Sequence, residues 1–263
     1  MMIKKKESIV NSERKTAIAA GILLITGIVF GILNSVPALE YAGYLTKLST
    51  IRGQVLVAVF FQSAMATVYV CIAAMFYPIV RKYRAGLAIG YFGFRIIGAA
   101  FLFVGIGSLL LLLSLSQAFV SAGQVNAPYF QATGELLRTG RDIMNHIGMI
   151  LPWMSGSMIL YYCMFKMKLV PDWLSIWGMI GSSLTIGATL LIMLDFIDMF
   201  TPAYLMMNMP SALFELSLAV YLIVKGFNSR AAGNHQADAI SAIAFFDPVR
   251  MEHSDRGEAR KRR

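Results

Sequence analysis

Apolar residues along this chain collect into six long runs, at positions 17–33, 55–80, 85–115, 143–165, 174–193 and 204–224. Within each run the hydrophobicity is continuous rather than alternating, so all sides of the element face an apolar environment. A helix rises 1.5 Å per residue, and about 20 such residues cross the ~30 Å hydrocarbon core of a bilayer. The pattern therefore predicts an all-α, polytopic transmembrane bundle of six spanning helices. The first run exceeds the roughly 7–15 residues of a signal-peptide core, and Val36-Pro37-Ala38 matches a cleavage site only loosely, so it is expected to stay as helix one.

Three regions follow: a basic arm at 1–16, the transmembrane domain at 17–227, and a polar tail at 228–263 whose composition suggests a disordered arm. The connections set a direction. The arm carries Lys4, Lys5, Lys6, Arg14 and Lys15, the second–third connection Arg81, Lys82 and Arg84, and the fourth–fifth connection Lys166 and Lys168. The opposite side holds only Lys47, Arg52, Arg138 and Arg141. The positive-inside rule places the richer side, with both termini, in the cytoplasm. Trp173 and Trp177 open helix five at that interface, with Asp172 as its expected N-cap.

Two connections on the other side are longer. In 35–53, Ala38, Tyr41, Ala42, Leu45 and Leu48 recur at helical spacing after Pro37, which predicts a short interfacial helix. The stretch 117–138 contains Asn126-Ala-Pro128, then Tyr129, Phe130, Leu136 and Leu137, and reads as a second partly interfacial segment. Each is either a packed connector or a lid.

Composition agrees: the 263 residues are 57% hydrophobic and only 14% charged, an apolar excess that no soluble fold of this length can bury. The net charge of +9 lies between apolar runs, which points to the bilayer and its anionic lipid headgroups as partner rather than to nucleic acid. Cys71 and Cys163 sit at depths of about 15 and 5 Å from the basic edge, too far apart for a disulfide. No zinc-type spacing occurs, so no metal or cofactor is expected. Seventeen methionines scattered through the runs read as core filler.

Two charges lie well inside helices: Arg95 and Glu215. Each costs roughly 2.5–3.5 kcal/mol at a helix centre, so neither can face lipid. Counted from the basic edge they sit at about 16 and 15 Å, which predicts a buried pair between helices three and six. It would serve as a register pin or as a mid-membrane proton or substrate site. Gln62, Asp142, Asn145, His146 and Asn208 map to the outer third, where Asp195 or Asp198 could join them in a metal or proton site. Thr139-Gly-Arg-Asp142 also fits a capping box, which gives Asp142 a structural role. Pro152 and Pro210 should kink helices four and six. Gly27/Gly31 and Gly86/Gly90 are small-xxx-small pairs. No P-loop, HExxH, GxSxG or CxxC pattern is present, so those motif-borne chemistries have no sequence signal.

Gly90-Tyr-Phe-Gly-Phe-Arg-Ile-Ile97, Gly140-Arg-Asp142, Lys168-Leu-Val-Pro-Asp-Trp-Leu-Ser175 and Val224-Lys-Gly-Phe-Asn228 resemble, in order, the bacterial membrane family catalogued as domain of unknown function 4386. The resemblance runs from about Arg14 to Asn228 and implies a bundle of the bacterial cytoplasmic membrane, without an activity. Its pattern often sets a Glu soon after the Arg of helix three. Here Gly98 stands there, which leaves Glu215 as the partner for Arg95. Three functions stay open: a non-enzymatic accessory, sensory or regulatory bundle, acting with a membrane protein partner or as a homo-oligomer; a small-solute or proton-coupled transporter; and an intramembrane enzyme.

Overall fold

The computed structural model describes residues 2–123, 126–199 and 201–228, with side chains from Arg14 onward. Helices α1 (Met2–Leu33), α3 (Arg52–Tyr83), α4 (Ala85–Ser121), α6 (Ile150–Lys166), α7 (Asp172–Met193) and α8 (Pro202–Val224) correspond to the six apolar runs. Among the described residues there is no strand, and six helices are long and apolar enough to cross a membrane. Two shorter helices, α2 (Tyr44–Thr50) and α5 (Ala127–Ile143), lie at the end opposite the basic loops.

The spanning helices close into a ring. α1 packs on α3, α3 on α4, α4 on α6, α6 on α7, α7 on α8, and α8 returns to α1. Closure rests on two features of α1. Gly21 is buried so tightly against α8 that an added Cβ would sit 2.7 Å from both the Ala219 carbonyl and Ile223 Cγ1. Arg14 donates to the last carbonyls of α8, at 2.7 Å to Ile223 and 3.1 Å to Val224, and so places a cation on the negative end of that helix. The ring interior is filled by Phe76, Tyr91, Leu160, Leu174, Phe214 and Leu218, while Ile22, Phe60, Ile89, Leu111, Ile180 and Met206 point outward. An apolar outer belt is what a lipid-facing surface requires.

At the far end, the first connection forms a 3-10 turn over Pro37–Glu40 and then α2, as its spacing predicts. Leu39, Leu45 and Leu48 pack onto Leu109, Leu112 and Phe119 of α4, making a second core outside the ring. Ser116 fixes this layer by donating to the Leu45 carbonyl.

Several expectations change. The basic arm is not separate from helix one, because α1 runs down to Met2. α4 continues to Ser121, and the second outer segment is the extension of helix four: α5 passes through a π-helical turn, Met144–Gly148, straight into α6. The helix is already formed at Thr139, so no capping box exists there. Asp172 is the first residue of α7, not its cap; Pro171 holds the cap position, and Asp172 instead pairs with Lys168 at 2.6 Å. Gly27 and Gly31 do face α3, against Tyr69 and Met65, but a Cβ on Gly86 would meet nothing. Cys71 and Cys163 are free thiols. The tail from 229 onward lies outside the described residues.

Gly21→Ala is expected to lower the stability of the purified protein by about 1–3 kcal/mol, because backbone stands in the way of the new methyl. Gly107→Ala, where a Cβ meets open space, should be neutral or gain up to about 1 kcal/mol. Thermal melting in detergent compares the two; an undisturbed Gly21→Ala would remove this contact as the seam of the ring.

Candidate functional site

The central site is built on two facing stripes. On α4, Tyr91, Arg95, Gly98 and Leu102 follow one another at helical spacing and are all buried; on α6, Trp153, Ser157 and Tyr161 do the same. Gly98 and Gly156 let the two backbones approach. A Cβ on Gly98 would lie 3.2 Å from the Met149 carbonyl, and one on Gly156 would lie 3.3 Å from the Tyr91 carbonyl and 3.4 Å from Arg95 Cγ. Arg95 is thereby laid along α6 and is 3% exposed.

Its guanidinium is held by the protein itself. Nη2 donates to Ser157 Oγ at 2.8 Å, and Cζ lies 3.6 Å from the centre of the Trp153 ring. A cation over an indole face is the strongest aromatic arrangement of this kind, worth 2 kcal/mol or more, roughly, when desolvated. Trp153 also packs against Tyr69 of α3, ring centres 4.0 Å apart. Arg95 Nε has no partner.

Glu215 stands across the ring on α8, partly buried. α4 and α8 sit at opposite places in the ring order, so the expected direct pairing between helices three and six is corrected: no ion pair joins Arg95 and Glu215 among the described residues. They are instead related by mutual attraction, with the Trp153 side chain near the Glu215 carboxylate. Tyr69 and Tyr161 lie in the field of both charges. Depth counting places the two charges at one level but says nothing of which helix stands between them.

The outer polar residues divide into separate contacts. Gln62 Nε2 donates to Asn145 Oδ1 at 3.1 Å, tying α3 to the π-helical turn, while its own Oε1 is buried without a partner. His146 Nδ1 meets the Tyr204 hydroxyl at 3.2 Å, Asn208 donates back to the Tyr204 carbonyl, and Asp142 pairs with Arg141 at 2.9 Å. Asp195 and Asp198 are exposed in the α7–α8 loop. Among the described residues, no three of His, Cys, Asp and Glu come together as a metal site would need.

Pro152 has no N–H to give to Gly148, and the π-helical turn just before it takes up that break, with Met149 N–H reaching back to the Met144 carbonyl at 2.9 Å. Pro210 stands inside α8, where the adjacent Ser211 bonds Thr185 of α7 at 2.8 Å. Sequence reading misses Trp153, Ser157 and Tyr69. The available signal was the Trp153–Ser157–Tyr161 stripe at four-residue spacing.

Two open cavities lie at the far end, of about 660 and 770 Å³, on either side of the arch 41–46; neither is lined by Arg95 or Glu215.

Residues 19–226 match the family described as a domain of unknown function, DUF4386, and the chain belongs to it. No curated protein and no solved structure matches the chain.

Arg95→Leu should destabilise the bundle by roughly 3 kcal/mol, since it leaves Glu215 with no compensating charge. Adding Glu215→Leu should restore part of that loss. Unfolding in mixed micelles measures all three chains; a double variant whose loss equals the sum of the two single losses would show that the charges are not coupled.

Proposed function

We propose that this DUF4386 member is a non-enzymatic bundle of the bacterial cytoplasmic membrane, accessory, sensory or regulatory in role, with both termini and the basic loops on the cytoplasmic side. The observation that carries this reading is how Arg95 is used. The deepest cation of the chain is 3% exposed, hydrogen-bonded to Ser157 and covered by the Trp153 ring. A transport site keeps its charge available to a ligand that comes and goes. This one is occupied in joining helices. Asp142 and His146 each have a separate partner, and Asp195 and Asp198 are exposed in the α7–α8 loop, so they form no assembled nucleophile–base set for a hydrolytic reaction.

A proton-coupled transporter is the second reading, supported by the partnerless Nε of Arg95 and by a carboxylate, Glu215, standing apart from the cation. On either reading the loops carrying Arg81, Lys82, Arg84, Lys166 and Lys168 meet anionic headgroups, each basic residue near the surface contributing about 1 kcal/mol.

Two measurements test this. In vesicles carrying an internal pH dye, proton flux through the reconstituted protein should equal that of empty vesicles and stay unchanged in Glu215→Gln. A flux that the wild type shows and Glu215→Gln abolishes would replace the first reading with the second. Reporter fusions ending at Lys82 and at Gln124 should report opposite sides of the membrane, with Lys82 inside; the same side for both would overturn the orientation.

A further inference from the structure

We propose that the cavity beneath the arch 41–46 binds a small organic cation, an ammonium group on an apolar body, with Glu40 as its counter-ion. The site lies at the outer end of the molecule and is independent of the Arg95 centre.

Its volume, about 660 Å³, falls in the roughly 300–1,000 Å³ range of pockets that enclose small molecules. The 3-10 turn and α2 form one wall, α5 the other, and the lining includes the buried ring of Phe119. Gly43, at φ +80°, turns the arch in a backbone conformation that other residues rarely adopt.

Charge decides the class of ligand. Three charged side chains line the cavity: Glu40, Glu135 and Arg138. Arg138 places Nη2 and Nε on the two Glu135 oxygens at 2.6 and 3.1 Å and Nη1 on the Leu39 carbonyl at 3.3 Å, which uses three of its five N–H groups. Glu135 is neutralised by this pair. Glu40 is exposed and takes no hydrogen bond or ion pair among the described residues. Glu40 feels Arg138 only through its longer-range field, so the lining holds one carboxylate more than it holds cations.

The remaining lining suits a soft cation. Tyr41 and Phe119 supply aromatic surface, the Tyr44 ring already facing the Arg138 guanidinium at 5.8 Å; ring faces attract an ammonium group while their area accommodates its alkyl substituents. The Tyr44 hydroxyl is buried with no hydrogen-bond partner. Burial first, and then the Glu135 carboxylate, push that phenol above its usual range, so it stays neutral and adds no second anion. An anionic ligand would be opposed by a lining that holds two carboxylates and one cation; a neutral apolar one would leave Glu40 unused.

An ammonium group can arrive on a soluble amine or on an amine-bearing lipid headgroup, since the cavity is open and lies beside the outer membrane surface. The probes are choline and its uncharged isostere 3,3-dimethylbutan-1-ol, titrated by calorimetry into full-length protein in nanodiscs of phosphatidylglycerol. Choline should bind saturably and at least about tenfold more tightly than the isostere. Glu40→Gln, on an exposed side chain, should keep the melting temperature and lose about tenfold in choline affinity; Gln131→Trp should abolish binding by filling the space. Including phosphatidylethanolamine in the nanodiscs then names the source. A weakened apparent choline affinity identifies a lipid headgroup, and an unchanged one identifies a soluble amine; both outcomes support the site. Absence of saturable choline binding to the folded protein, equal binding of the isostere, or an unaffected Glu40→Gln would each overturn the proposal.

Discussion

A guanidinium in the middle of a bilayer needs two things at once: walls that keep lipid away and groups that replace its lost water. In hydrocarbon neither can come from solvent, so both must come from neighbouring helices. Arg95 obtains its walls from the close approach of α4 and α6 at Gly98 and Gly156, and its contacts from Ser157 and Trp153. Glu215 has the same need from the other side of the ring. An indole can serve both, offering a π face to the cation and an N–H to the carboxylate. Trp153 therefore covers the cation and stands near the carboxylate, between two charges that form no ion pair.

Close approach is the recurring means of closure. Lipid tails are as apolar as leucine, so helices in a membrane gain little from burying apolar surface and associate through packing, which small residues permit. Gly21 faces α8, Gly27 faces α3, and Gly178 of α7 lies against Phe214 and Tyr161, where a Cβ would come within 2.6 and 2.8 Å of their rings. Gly98 has a further consequence. A side chain here would press on the Met149 carbonyl, 3.2 Å from the new Cβ, and touch Trp153. With glycine at 98 the space goes to the indole, and the charge that answers Arg95 comes from α8.

The parts of this architecture that hydropathy controls were legible in the sequence. Each of the six apolar runs became a spanning helix, with starts and stops shifted by only a few residues except where α4 ran on to Ser121 and α1 down to Met2. These overruns are amphipathic or polar turns, where hydropathy gives no warning that a helix continues. The match at Arg95 and Glu215 was half readable. Counting residues gives depth because helical rise is fixed, but the ring order depends on contacts between distant segments, and no spacing along one helix reports it. The same gap explains Asp142, whose local sequence has the form of a cap although the helix has already begun at Ala127. A capping motif has meaning only where the chain enters the helix, and Pro128, two residues after an Asn in the left-handed region, was the better marker of that entry.

The continuity of helix four joins the two ends of the molecule. α5 walls the outer cavity with Gln131, Glu135 and Arg138, and the same rod carries Trp153 about 22 Å further on, at 1.5 Å per residue. Between them lies the π-helical turn, where the Met149 N–H bonds back to the Met144 carbonyl. Such turns are rare in helices and are concentrated at functional sites. This one is anchored on both flanks, to α3 by the Gln62–Asn145 bond and to α8 by the His146–Tyr204 contact. Those anchors hold the turn to the ring, while α5 packs on α4 and α2 and bonds the 3-10 turn through Arg138 and the Leu39 carbonyl. The polar side chains that sequence reading assembled into a candidate reaction site act, in this geometry, as the clamps on that turn.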